Sequence, residues 1–336
     1  MKERVFEGPD AILDYLSPGS LGPAPLVELP VSLNPFSREK VKIFIKLMQF
    51  VPLANIKSLP SYLMLKRMQA KGVKNLVEYS SGNTVLSLSV LSKHFGIPNL
   101  HAIITPDVPE HKKRLLRLVG ANILVSHGPP SPDVFSPVGG IADAKKLGRK
   151  SGWHNFNQYI NPANPGAGRD YLGKELWSQL GRDLSLLVSS IGTGGTILGA
   201  GSYLKDRNKK IKVVGVAIKE GSSIPGPRGE GMIDRLGLPW RKATDEVVAI
   251  NGREAYGGSL ELIRSGLFVG PSTGMQYRGL LKKLAEYKRK KSLKSLRNHR
   301  GEVLACFVAC DTMFPYIDDY FKVLPSKNFS KIKHLK

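Results

Sequence analysis

The stretch Val188-Ser-Ser-Ile-Gly-Thr-Gly-Gly-Thr-Ile-Leu-Gly199 carries the reading of the fold. An apolar run, 184–191, meets four small residues, Gly192-Thr193-Gly194-Gly195, and continues into a helix-like segment from Thr196 to Leu204. A glycine-rich turn between a strand and a helix exposes backbone N–H groups at the positive end of the helix dipole, which makes it a seat for phosphate. Its spacing is neither Gly-x-Gly-x-x-Gly nor the Gly-Lys-Ser/Thr ending of a nucleoside-triphosphate loop, so the pattern points away from both ligand classes. A small cofactor held by a single phosphate fits. In isolation such a turn would be read as glycine needed only for packing; the surrounding chain decides otherwise.

Strand-like and helix-like segments alternate on both sides of this turn. Apolar runs at 76–79, 101–105, 122–125, 212–218 and 303–309 are interleaved with helical patterns such as 85–94 and 109–118. Near-continuous apolar strands separated by helices specify a parallel α/β sheet. The proline-rich stretch at 128–137 reads as a loop or lobe boundary. Ligands of such sheets lie beyond the carboxyl ends of the strands, so Ser80-Ser-Gly-Asn-Thr84 and Gly192–Thr196 fall on one ligand face. The hydroxyls, amide and N–H groups of the first turn suit a carboxylate, as the second suits a phosphate. A phosphate and a carboxylate in one site invite amino-acid chemistry on a phosphorylated cofactor.

Composition bounds the alternatives. The chain has 336 residues, enough for two lobes sharing a cleft, and 41% of them are hydrophobic. No apolar run approaches the ~20 residues of a membrane span, and the N-terminus lacks the apolar region of a secretory signal. Two cysteines rule out a disulfide framework and suit a reducing, cytoplasmic setting. Cys306 and Cys310 lie about 13 Å apart at strand rise and read as buried apolar fillers, with no metal site expected. The formal net charge is +23, and the window 282–300 holds nine Lys and Arg against one acid. Without interleaved aromatics or a nucleic-acid motif, this window reads as a solvated helix face followed by a loop. Neither a nucleic-acid nor a membrane partner is expected, while the positive field would steer anionic substrates inward.

Read together, Ser80-Ser-Gly-Asn-Thr84, Gly192-Thr-Gly-Gly-Thr196 and Val269-Gly-Pro-Ser-Thr-Gly274 resemble the cysteine synthase family, the fold-type-II pyridoxal-phosphate enzymes related to cystathionine β-synthase. Pro25 to Leu29, Gln158 to Asn164, Glu220 to Arg228 and Asp311 to Tyr316 extend the resemblance over residues 20–322, with the 220–228 loop similar to the cysteine synthase B branch. The resemblance implies a two-domain α/β fold, each domain a mainly parallel sheet flanked by helices, with the cofactor in the cleft. Residues 46–150 would form the smaller domain with the carboxylate loop, 8–45 plus 151–322 the larger domain with the phosphate loop, and 323–336 a basic tail.

The resemblance also implies roles. Gly192, Thr193, Gly194, Gly195 and Thr196 would hold the phosphate of pyridoxal 5'-phosphate, Asn83 its ring hydroxyl and Ser272 its pyridine nitrogen. Ser80, Ser81, Thr84 and Gln158 would bind the substrate α-carboxylate, and Arg228 an anionic leaving group or sulfur donor. Counting six residues from Asn34-Pro35, as the family pattern requires, gives Lys40 as the Schiff-base lysine, with Lys42 as the fallback. The flanking residues depart from the family's Ser-x-Lys-Asp-Arg, Val85 replaces a usual glycine, and Cys310 precedes Asp311 where proline is usual. The implied activity is β-replacement on O-acetylserine or O-phosphoserine by sulfide or another sulfur nucleophile, giving L-cysteine in a homodimeric enzyme. Two alternatives remain at this point: a serine/threonine dehydratase or cystathionine β-synthase-type lyase, and a non-catalytic binding protein on the same fold.

Overall fold

The computed structural model describes residues 4–69, 71–128 and 133–332; four residues of the proline-rich stretch, 129–132, and the last four of the tail lie outside that set. The strands are β1 (Leu26–Glu28), β2 (Val41–Leu47), β3 (Asn75–Tyr79), β4 (Asn99–Ile104), β5 (Asn122–Val125), β6 (Trp153–His154), β7 (Leu184–Ser190), β8 (Lys212–Ile218), β9 (Glu246–Ile250) and β10 (Val303–Ala309). They form a six-stranded sheet, β1-β2-β10-β7-β8-β9, and a four-stranded sheet, β5-β4-β3-β6. Every pairing is parallel except β1 with β2. The fold is the α/β arrangement of two mainly parallel sheets expected from the sequence.

The interior of the six-stranded sheet is buried on both faces, which is why its strands are largely apolar. All seven residues of β10 are buried. Alternate side chains serve different layers. Ile43, Ile45, Leu186, Val188, Ala305 and Phe307 pack with Leu262, Met275, Leu280 and Leu284 from the helices Gly252–Arg264 and Pro271–Arg289. Leu187, Cys306 and Val308 face the other way, onto Ile197, Ala200 and Leu204 of the helix Gly195–Arg207. Each fully buried Leu, Ile, Val or Phe contributes roughly 1.5–3 kcal/mol. The helix Gly252–Arg264 starts in a capping box, Asn251 accepting from Glu254 N at 2.9 Å and Glu254 from Asn251 N at 3.0 Å.

The helix Gly195–Arg207 is held close to the preceding segment. A Cβ on Gly199 would lie 2.0 Å from Pro165 O, so only glycine permits this contact. The loop at the helix start is thereby fixed to the residues that lead from β6 into the large sheet.

The segment counted from Asn34 for the cofactor lysine runs through a 3₁₀ turn, Ser37–Glu39, and then directly into a strand. Val41–Leu47 is an interior strand of the six-stranded sheet, with Val41 opposite Val303 and Leu47 opposite Ala309. Its Lys46 is fully buried and spends its three N–H donors on Ala24 O (2.6 Å), Glu175 Oε2 (2.5 Å) and Gln179 Oε1 (2.9 Å). Burial pulls the ammonium of Lys46 below the usual lysine range, and Glu175 opposes that.

The basic window is divided between a helix and a turn. The helix ends at Arg289, and Arg289, Lys291, Lys294 and Arg297 are exposed. Lys283 is the exception, buried between Glu246 and Glu286. No helix among the described residues is long and apolar enough to cross a membrane.

Candidate active site

A cavity of about 650 Å³ opens between the two sheets at the carboxyl ends of their strands. The turn after β3 supplies Ser80, Ser81, Asn83 and Thr84, and the turn after β7 supplies Gly192, Thr193, Gly194 and Thr196. Gln158, Arg228 and Ser272 complete the set of sequence-derived residues that line it. Gly195 stands behind the wall rather than on it: its N–H is turned onto Thr193 Oγ1 at 3.3 Å, and a Cβ there would meet Asn164 Oδ1 at 2.2 Å. Gly194 adopts φ +83°, a conformation that side-chain-bearing residues rarely accept. Asn164 also donates to Thr193 Oγ1 at 2.8 Å, so the loop is braced from below while no side chain caps the helix it opens. The N–H groups of that first turn have no acceptor within the helix and suit an anion.

Lys40 and Lys42 are not in this cavity. They sit at the amino end of β2, roughly 20 Å along the strand from its carboxyl end. Lys40 is exposed, at φ +59°, and its carbonyl accepts from Val303 N at 3.0 Å. Lys42 pairs with Glu302 at 2.9 Å. Neither ammonium can reach a ligand at the opposite end of the sheet. The assignment of the cofactor-bearing lysine to Lys40 or Lys42 is therefore corrected by the direction of β2.

Of the lysines near β2, the one that lines the cavity is Lys57; Lys112 and Lys322 line it from other elements. After β2 the chain turns through Leu53 and Ala54, both at positive φ, and is pinned against the end of β10 by Ile56 N to Cys310 O at 2.8 Å. Asn55 forms an isolated antiparallel bridge with Asp311, and its side-chain oxygen accepts from Lys57 N at 3.0 Å and from Ser87 Oγ at 3.2 Å. The Lys57 ammonium has no hydrogen-bond or salt-bridge partner among the described residues. Burial pulls its pKa below the usual lysine range, and Arg228 adds to this, against a partial offset from Cys310 and Asp311. Its modest exposure is to the cavity, not to bulk water.

Four further residues to which the sequence reading gave no place in the site, Tyr159, Cys310, Asp311 and Tyr316, line the same cavity. Cys310 lines the cavity, accepting from Gln276 Nε2 at 3.3 Å, and burial pushes its thiol up; only Cys306, on β10 and pushed up to about 12, is the inert filler expected of both. Asp311 accepts from Asn83 Nδ2 at 2.6 Å and from Tyr316 Oη at 2.5 Å. Tyr159 Oη accepts from Arg228 Nη2 at 2.5 Å, while Arg228 Nε is buried without a partner among the described residues. The signal that could have found Lys57 is the alternation of 41–47 itself, which puts the carboxyl end of that strand, and hence the cleft, after Leu47.

The turn Ser80–Thr84 is organised from behind. Thr84 Oγ1 donates to Gln158 Oε1 at 2.7 Å. Gln158 is held by buried Glu78 of β3, which accepts from the backbone N–H of Gln158 at 3.3 Å and of Asn157 at 3.0 Å, and from Asn155 Nδ2 at 3.3 Å. Burial pushes the Glu78 carboxyl up to about 8, although those N–H groups favour its charged form. At the mouth, Lys112 and Asp319 approach to 3.4 Å across the cleft. Ser272, at the start of the helix Pro271–Arg289, presents a hydroxyl with no partner among the described residues.

Comparison with known proteins places this geometry. Residues 18–295 match the family described as "Pyridoxal-phosphate dependent enzyme". The chain is 29% identical over 269 residues to cysteine synthase B of Escherichia coli (strain K12), covering 78% of this chain and 86% of that one. It is 30% identical over 268 residues to cysteine synthase of Aquifex aeolicus (strain VF5), covering 76% and 78%. In three dimensions it is similar to the crystal structure of O-ureido-L-serine synthase, with a TM-score of 0.73 over 90% of this chain and 93% of the other at 22% identity, a likeness of fold.

Proposed function

This chain belongs to the family of pyridoxal-phosphate dependent enzymes, and on that premise we propose that it performs β-replacement on an activated serine, with Lys57 as the lysine that carries the cofactor. The observation that carries the reading is Lys57 itself, unpaired among the described residues in a cavity that also holds the glycine turn and the Ser80–Thr84 turn. The residues fit the cofactor: an uncapped helix start for its phosphate, an unpartnered Ser272 hydroxyl for its pyridine nitrogen, and an unpaired lysine for its aldehyde.

When bound, pyridoxal phosphate supplies an electron sink for charge developing at the substrate's α-carbon. The chain's own residues do the rest. Gly192, Thr193, Gly194 and Thr196 hold the phosphate, with Gly195 shaping the turn. Asn83 meets the ring hydroxyl. A neutral serine at position 272 does not hold the ring nitrogen protonated as a carboxylate would, which restrains the sink and favours loss of a group from the β-carbon over transamination. Ser80, Ser81, Thr84 and Gln158 bind the substrate α-carboxylate and so orient its α-proton. Lys57, its pKa lowered by burial, holds and returns that proton on Nζ. Arg228, fixed by Tyr159, places positive charge for an anionic leaving group or sulfur donor.

The proposed substrates are O-acetylserine or O-phosphoserine with sulfide or another sulfur nucleophile, and the proposed product is L-cysteine. A cytoplasmic, homodimeric enzyme is part of the same proposal. The test is borohydride reduction of the yellow holoenzyme followed by peptide mapping, together with product analysis. The label is expected on Lys57, and cysteine is expected in place of an α-keto acid. A label on Lys40 or Lys42 would overturn the lysine assignment, and α-keto acid as the main product would overturn β-replacement.

A further inference from the structure

We propose that Asp311 is a positioning residue for the cofactor site, its carboxylate fixing the Asn83 amide so that one N–H is left to meet the cofactor. The inference rests on the proposed placement of Asn83 at the ring hydroxyl.

Asp311 stands where three cofactor-holding elements converge. Its side chain reaches across the cleft from the end of β10 to Asn83, the first residue of the helix Asn83–His94, which follows β3 of the other sheet. Its backbone bridges Asn55, two residues before Lys57, and its carbonyl accepts from Gly270 N at 3.1 Å, two residues before Ser272. An amide nitrogen carries two N–H donors. Spending one on Asp311 Oδ2 at 2.6 Å sets the plane of the Asn83 amide and leaves the other free. Tyr316 Oη donates to the same oxygen at 2.5 Å, which holds the carboxylate in one rotamer.

The surroundings are built to admit this carboxylate. Asp311 is only 4% exposed, and its Oδ1 is buried without a hydrogen-bond partner among the described residues. A Cβ on Gly270 would lie 2.3 Å from that oxygen, so glycine is needed opposite it. A buried oxygen left unpaired is costly, and a role purely in packing would be met more cheaply by an apolar side chain. Burial raises the Asp311 carboxyl, while Tyr316, Asn83 and Lys57 favour its charged form.

The test is equilibrium binding of pyridoxal phosphate to apo-protein, read from absorbance and fluorescence rather than turnover. Asp311→Ala and Asn83→Ala are each expected to weaken binding at least about tenfold, and the double variant to be no more than about threefold worse than either. Asp311→Asn keeps an acceptor for Asn83 and is expected to stay within about threefold of wild type. Should Asp311→Ala not fold, Asp311→Ser, whose hydroxyl is too short to span to Asn83, carries the same expectation. Wild-type affinity in Asp311→Ala beside a weakened Asn83→Ala, or multiplied losses in the double variant, would overturn the inference. An unaffected Asn83→Ala would instead remove the proposed placement of Asn83 and this inference with it.

Discussion

Replacing Glu78 by Gln should remove most of a pH dependence built into the fold. Glu78 lies on β3 at 1% exposure, and burial raises its carboxyl from 4.5 to about 8. The folded state therefore binds a proton that the unfolded chain releases between those two values. Stability from this group is fully present below about 4.5, falls as pH rises, and is gone above about 8. At about 1.4 kcal/mol per pH unit, the whole change is on the order of 5 kcal/mol. Glutamine keeps the shape and cannot ionise. The difference in unfolding free energy, wild type minus variant, should fall by that amount between pH 4.5 and 8 in urea titrations. The same residue holds the N–H groups of Asn157 and Gln158. An amide NH₂ turned toward one of them leaves a donor facing a donor, so the apparent KM for the amino-acid substrate should rise several-fold while kcat changes less. Parallel stability curves for the two proteins across this pH range would refute the reasoning.

Three other outcomes follow from the geometry. Lys46→Ala leaves the mostly buried Glu175 carboxylate without its countercharge and Gln179 Oε1 without its donor, and should lower unfolding stability by about 3 kcal/mol or more in urea titration. Gly195→Ala drives a methyl into Asn164 Oδ1, so it should weaken pyridoxal-phosphate binding to apo-protein at least about tenfold, because the phosphate turn must shift. Lys40→Ala and Lys42→Ala should retain cofactor, colour and turnover, since both lie at the far end of β2; loss of the visible band in either would contradict the placement of Lys57.

Much of the fold was legible because its strands are buried on both faces. Runs such as 303–309 and 212–218 have no polar side to disguise them, and the structure returns them as β10 and β8 with the same ends. The two turns were legible for a related reason: a turn at the carboxyl end of a parallel strand must present backbone N–H groups, and glycine, serine and threonine leave them exposed. Less was legible where a residue's meaning depends on chain direction. Asn34-Pro35 drew the lysine count to the wrong end of β2, although the alternation of 41–47 already marked a strand. Cys310 could not be told from Cys306 by spacing, because one residue beyond the end of β10 separates a wall of the cavity from the interior.

Local sequence determined the chemistry of each turn and the strands that carry them, because backbone exposure and side-chain periodicity are short-range properties. Only the tertiary structure decided which of four neighbouring lysines faces the cavity those turns line. Lys40, Lys42, Lys46 and Lys57 are one residue type within 18 positions, yet one is in solvent, one is in a surface pair, one is sealed beneath Glu175 and one faces the cavity. Burial and distance from the sheet's carboxyl edge separate them, and both arise from strands joined across more than 250 residues of chain.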